Sequence, residues 1–222
     1  MNTGQPIFSQ LMALIHPQHF DRCVRRFGGD YKVQHFTCWT QCLCMAYAQL
    51  TGRESLRDVV DCLCARPERL YHLGFRGAIR RSTLAYVNEQ RDWRIYATLA
   101  QQLIVRARQL YADEPLAMDL DATVYALDST TIDLCLSLFR WARFRRTKSA
   151  IKLHTLLDLR GPIPAFIHIS DGKLHDVHAL DQMPIEAGSF YVMDRGYLDF
   201  ARLFVLHPVS YTHLTLPTIY SV

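Results

Sequence analysis

Apolar residues recur every three or four positions through the first half of the chain and every second position through much of the remainder. Phe36, Trp39, Leu43, Tyr47 and Leu50 form one stripe that stops at Gly52, the pattern of an amphipathic helix closed by a helix breaker. Ser55 stands three residues ahead of Asp58 and opens a second helix, with Leu56, Val59, Val60 and Leu63 inward and Pro67 beyond its end. Ser82 is placed to cap a short segment that holds Leu84 and Val87. Trp93, Tyr96, Leu99, Leu103, Ile104, Leu110 and Tyr111 then mark a long amphipathic helix. The spacing predicts an all-helical region over residues 1–114.

At Asp113-Glu114-Pro115 the period changes to two, and strands are predicted over 123–131, 149–159, 163–169 and 189–193. Arg160-Gly161-Pro162 is a turn, so the second and third strands pair as an antiparallel hairpin. Residues 176–183 read as a short helix, and a crossover of that kind makes the fourth strand parallel to an earlier one. The expected class is α/β: a mixed sheet with helices, preceded by the all-helical region.

Two aspartates interrupt this pattern. In "VYALDSTTI", Val124, Ala126 and Asp128 share one face and Tyr125 and Leu127 the other, so a carboxylate occupies a place due to an apolar side chain. In "FYVMDRGYLDF" an apolar run ends in Asp194, followed by Arg195, Gly196 and a helix holding Phe200, Leu203 and Phe204. Aspartates at strand ends commonly cap or turn the chain, and Ser129 and Thr130 are ordinary turn starters. If the first and fourth strands are parallel neighbours, however, Asp128 and Asp194 converge, and their charges repel unless a proton or a cation lies between them. Oxygen ligands favour Mg²⁺ or Mn²⁺ over zinc, and such a pair can hold two ions about 4 Å apart for in-line displacement at phosphorus.

Charge alone announces no polyanion partner, since 25 Lys plus Arg against 21 Asp plus Glu leave a formal charge of only +4. Local clustering does. Arg140, Arg143, Arg145, Arg146, Lys148 and Lys152 follow one another without an acid among them and with Trp141 and Phe144 interleaved, a composition suited to phosphate contact as well as to a solvated turn. Arg76, Arg80, Arg81, Arg91 and Arg94 surround the segment after Ser82, which has the size and polarity of a helix presented to a DNA groove.

Seven cysteines, an odd number with no secretory leader ahead of them, point to free thiols in the cytoplasm. Cys42-x-Cys44 and Cys62-x-Cys64 are too closely spaced on a helix for a zinc site and read instead as small hydrophobes. No apolar run approaches the roughly 20 residues of a membrane span. His154, His168, His175 and His178 read as packing or polar core residues, with a DNA-facing role open for His175. Asp171 and Asp176 read as turn and cap residues.

The stretches "YALDSTTIDLCLSLFRWARFRRTKSAIKLHTLLDLRG", "IPAFIHISDGKLHD" and "FYVMDRGYLDFARL" resemble bacterial insertion-sequence transposases of family four, with the likeness running from about Phe20 to His207. "GGDYKVQHFTCWTQCLCMAYAQLTGRESLRDV" and "LYHLGFRGAIRRSTLAYVNEQRDWRIYA" resemble the helical N-terminal DNA-binding region of that group. The resemblance implies an RNase H-like domain with a DDE triad whose first two members, catalytic residues and metal ligands at once, are Asp128 and Asp194. It implies Mg²⁺ or Mn²⁺ as cofactor and double-stranded DNA, transposon ends and target, as partner. Synapsis implies at least a homodimer. The third member, a glutamate within a Tyr, Arg, Glu and Lys pattern, is absent from these 222 residues.

The last stretch, "PVSYTHLTLPTIYSV", departs from the family and contains no Asp, Glu, Lys or Arg. The expectation is therefore a C-terminally truncated member with an incomplete catalytic domain over 115–207 and a non-native tail over 208–222. Two functions stay open at this point: a DDE transposase that nicks DNA and transfers the freed strand, and a catalytically inactive, sequence-specific DNA-binding fragment.

Overall fold

A computed structural model describes residues 5–112, 114, 122–134, 143–145 and 148–206. Contacts divide the chain into two units, Met1–Leu103 and Ile104–Val222. The expectations for residues 135–142, 146–147 and 207–222, including the tail, Arg140 and Arg146, lie outside the described residues.

The first unit is helical: α1 (Ile7–Met12), α2 (Pro17–Arg26), α3 (Cys38–Leu50), α4 (Leu56–Cys64), α5 (Pro67–Leu70), α6 (Arg81–Gln90) and the start of α7 (Arg94–Leu110). Local chemistry sets several starts. Pro17 occupies the first turn of α2, where its missing N–H costs nothing. The Thr37 and Ser55 hydroxyls accept the Thr40 and Asp58 amides at the heads of α3 and α4. The Ser55 cap is the one the sequence indicates, whereas α6 begins one residue before Ser82, with Arg80 as its uncapped first flank.

Leu43, Val59, Leu84 and Ile95 form the centre of this unit's core together with Cys23, Cys38 and Cys44. The cysteines do act as small hydrophobes, and burial pushes the Cys42 thiol up to about 11 and those of Cys38 and Cys44 up to about 12. Leu50 and Trp93 depart from the expected stripes: they are 57% and 68% exposed, while Cys38, Gln41 and Ala48 take the inward places on α3. Period alone does not distinguish a small inward residue from a large outward one.

Arg91 also departs from the DNA-facing role suggested by its neighbours. Its side chain is 7% exposed and pairs with Asp30 at 3.6 Å. One guanidinium nitrogen donates to the Thr37 carbonyl at 2.9 Å and to Gln41 Oε1 at 3.1 Å, and the other donates to the Phe36 carbonyl. Gln41 in turn binds the Tyr96 hydroxyl and Asn88. Arg91 thus closes the N-terminal end of α3, and its own burial makes these hydrogen bonds the ones that satisfy its guanidinium. Replacing it with Met, which keeps the apolar stem and deletes the charge, should destabilise the chain by about 3 kcal/mol, read from the shift of the urea midpoint in tryptophan fluorescence.

The second unit holds the end of α7 and a mixed sheet of five strands: β1 (Val124–Leu134), β2 (Arg143–Arg145), β3 (Lys148–Asp158), β4 (Ile163–Asp171) and β5 (Phe190–Met193). A 3₁₀ segment spans Asp176–Gln182, a second spans Arg195–Tyr197, and α8 spans Phe200–Leu206. The order is β2-β3-β1-β5, with β4 also paired to β3. β3 runs antiparallel to β1 and β4, as the Arg160-Gly161-Pro162 turn requires, and β5 runs parallel to β1. β2 has no counterpart among the expected strands, because three residues of a basic stretch show no apolar alternation.

Tyr125, Leu127, Leu156, Ala179, Leu180, Met183 and Tyr197 form this unit's core. At one end of its buried face, Arg108 donates to Glu186 at 2.8 Å and to the Tyr125 hydroxyl, which itself donates to Glu186 at 2.6 Å. Asp158 lies 3.5 Å from the same guanidinium. On α8 Leu203 is buried, while Phe200 and Phe204 are 71% and 77% exposed.

Candidate active site

Residues Val124 to Leu127 on β1 pair in parallel with Phe190 to Met193 on β5, the last rung being Leu127↔Met193. The next residues along this register are Asp128, inside β1, and Asp194, which directly follows β5; adjacent strands lie about 4.8 Å apart by ordinary sheet geometry. Strand alternation puts Asp128 on the face of Ala126, which pairs with Val192. Tyr125 and Tyr191, stacked at 5.2 Å, and Leu127 and Met193 turn to the other face, into the core.

Both acids are exposed. Asp194 also flanks the Arg195–Tyr197 segment, accepting the Arg195 amide through its side chain, so the cap expected of a strand-end aspartate and the juxtaposition with Asp128 occur together. The Tyr197 phenol, 1% exposed, lies within electrostatic reach of Asp176, Asp128 and Asp194. Burial first, and then these three carboxylates, push it up to about 12, against a hydrogen bond from Ser129. It is neutral at physiological pH.

Beneath the acids lies a row of polar groups that sequence reasoning did not assemble. His154, fully buried on β3, faces Ser129 on β1 and His168 on β4. Its Nδ1 is 3.1 Å from the Tyr197 hydroxyl and its Nε2 3.1 Å from Ser170 Oγ, the polar core role expected of it. Asp176 Oδ1 binds the Lys152 ammonium at 2.9 Å and stands 4.0 Å from His154. Asp171 accepts the Lys173 and Leu174 amides as a turn former should. The alternation of β3 already places Lys152, His154 and Leu156 on one face; the partners on the turn after β5 carry no sequence signal.

The basic residues fall into distinct places. Lys152 is engaged by Asp176 and by the Leu174 carbonyl at 3.1 Å, with 17% of its side chain exposed. Arg143 and Arg145 lie on β2, and Lys148 opens β3. In the first unit Arg80 and Arg81 are exposed at the head of α6, where Arg81 and Arg57 line a groove with Ser55 and Ser82.

Asp128 and Asp194 offer only carboxylate oxygens, the donor type Mg²⁺ and Mn²⁺ prefer, so the residues fit a divalent cation in chemical type. Among the described residues no group of three or more His, Cys, Asp or Glu is arranged to hold a metal ion.

The second unit is of the mixed α/β class, a sheet with helices. The comparisons narrow this. Residues 119–207 match the family described as Transposase DDE domain, an RNase H-like domain, and residues 3–76 match the Domain of unknown function (DUF4372). No curated protein and no solved structure matches the chain. The two family matches support a DDE-type transposase. Among the described residues, no helix is long and apolar enough to cross a membrane.

His154 gives this unit a pH dependence. Burial holds its pKa below the ordinary 6.5, with His168 and Lys152 acting in the same direction and Asp176 opposing. The unfolded chain therefore takes up a proton that the folded chain refuses. The contribution to stability is complete above the ordinary value and declines as pH falls through it. Urea midpoints at pH 7, 6 and 5 should decrease in that order, and His154→Gln should flatten the decrease.

Proposed function

We propose that the chain is a transposase that performs metal-dependent cleavage and strand transfer on double-stranded DNA. The observation that supports this reading is the parallel β1/β5 register, whose last pair, Leu127↔Met193, directly precedes Asp128 and Asp194. In this reading both are catalytic residues and would hold Mg²⁺ or Mn²⁺. The cation supplies charge neutralisation at the scissile phosphate and a nucleophile of lowered pKa. The chain's own part is to fix the two carboxylates on paired backbone, with the Asp194 side chain oriented by the Arg195 amide.

DNA contact is assigned to Arg140, Arg143, Arg145, Arg146 and Lys148 in the second unit and to Arg80 and Arg81 at the head of α6 in the first. Lys152 belongs to the same sequence cluster, but its ion pair with Asp176 makes it the weakest of these assignments. The exposure of Arg80 and Arg81 and the Arg57 beside them support a phosphate-contacting surface on the helical unit. Synapsis of two transposon ends requires two copies, so a homodimer is the assembly proposed. The free thiols of Cys23, Cys38, Cys42 and Cys44 suit a reducing cytoplasm.

Asp128→Asn and Asp194→Asn should each abolish Mg²⁺-dependent nicking of end-sequence DNA, assayed in a relative that carries the third family acid, and leave DNA binding within about twofold, since only the cation ligand is lost. Cleavage retained in either variant would sink the site. For the 222-residue chain, DNA binding without nicking is the outcome that favours the second reading, an inactive DNA-binding protein.

Charge reversal at Arg145 and Arg146 should weaken DNA binding and lower the slope of log affinity against log salt by roughly 0.9 for each phosphate contact removed. Fluorescence anisotropy across a salt series reads this, and an unchanged slope places the cluster off the DNA path.

A further inference from the structure

A chain of hydrogen bonds runs along the buried face of the sheet next to the two acids, and its direction follows from its last member. The Ser170 hydroxyl donates to the Asp171 carbonyl at 3.3 Å, so its oxygen is free to accept from His154 Nε2–H at 3.1 Å. The imidazole, fully buried and neutral, then has an unprotonated Nδ1, and the Tyr197 phenol 3.1 Å away donates to it. The phenol oxygen keeps a lone pair for the Ser129 hydroxyl. Every member is satisfied in a single direction, from Ser129 through Tyr197 and His154 to Ser170.

The two ends of this chain flank the acids. Ser129 directly follows Asp128 on β1, and Tyr197 closes the turn that Asp194 opens. Backbone pairing of β1 with β5 ends one rung before the acids, at Leu127↔Met193, and past that rung the Tyr197 phenol links the turn to both β1 and β3. A phenylalanine would fill the same volume but leave His154 Nδ1 without its donor.

We infer that Tyr197 and His154 are positioning residues for the acid pair: their hydrogen bond ties the turn that follows Asp194 to β3, where His154 pairs in register with Ser129 beside Asp128, and so sets the spacing of the two carboxylates for a divalent cation. This rests on the reading of Asp128 and Asp194 as metal ligands. Groups that orient ligands from behind commonly change metal affinity by 10- to 100-fold when removed.

The test uses the whole chain and two measurements: Mn²⁺ affinity from the electron paramagnetic resonance of free Mn²⁺, and amide hydrogen exchange without metal. Tyr197→Phe should weaken Mn²⁺ binding about tenfold or more and speed exchange over residues 194–198, leaving exchange in β3 and β4 as in the parent. His154→Ala should behave alike, whereas His154→Gln, whose amide both donates and accepts, should restore most of the affinity. Parental Mn²⁺ affinity in Tyr197→Phe overturns the inference, whether or not exchange has changed. If the parent chain takes up no Mn²⁺, the metal reading of the acids fails. Exchange over 194–198 then decides alone whether Tyr197 pins the turn, and an unchanged rate overturns that as well.

Discussion

The parallel pairing of β1 with β5 sets the main constraint on the second unit. Its last pair, Leu127↔Met193, directly precedes Asp128 and Asp194, and nothing in the stability of a sheet calls for a carboxylate at either point. The surrounding structure limits the cost in two ways. Both acids are exposed, so water screens them, and the Asp194 carboxylate accepts a backbone amide. Neither effect explains why the acids are there. In the proposed reading a divalent cation held by both carboxylates does.

The buried face of the same sheet shows how a polar core is kept affordable. Charged groups stand at its two ends, Lys152 with Asp176 and Arg108 with Glu186 and Asp158, and the middle is filled by neutral groups, His154, Tyr197 and Ser170. A charge in the middle would lie farthest from water, and burial accordingly depresses His154 and raises Tyr197, keeping both neutral. Ionic groups at the rim orient, and neutral groups beneath transmit that order to the turn after β5.

Much of this was legible in the sequence, for a physical reason. Period-two alternation reflects which side chains face a core, and a short helix between strands fixes a parallel crossover, so the strands and the parallel β1/β5 pairing could be read from pattern and topology together. Contacts between side chains distant in sequence left no such trace. Arg91 stood among arginines that looked suited to DNA, and only the fold shows it bonded to carbonyls at the head of α3. The Ser82 cap failed because helix starts are decided by one hydrogen bond, for which neighbouring residues compete. β2 was missed because pairing with Lys148 and Ser149 makes it a strand, not its own composition.

Net charge understates what a polyanion meets on this chain. Arg91 pairs with Asp30, Arg108 with Glu186 and Asp158, and Arg202 with Asp181 and Asp199. The first of these groups is neutral and the other two each hold one more acid than base, so these acids are engaged by cations that are not the exposed ones on α6. What is left to act on DNA is decided by which cations stay exposed and clustered, as Arg80 and Arg81 do at the head of α6. Phosphate contacts gain from local density of charge within about a Debye length, roughly 8 Å at physiological salt, and not from the total over the chain. A nearly balanced composition is therefore compatible with strong local attraction for a phosphate backbone where the acids are paired with other cations, away from the exposed basic cluster.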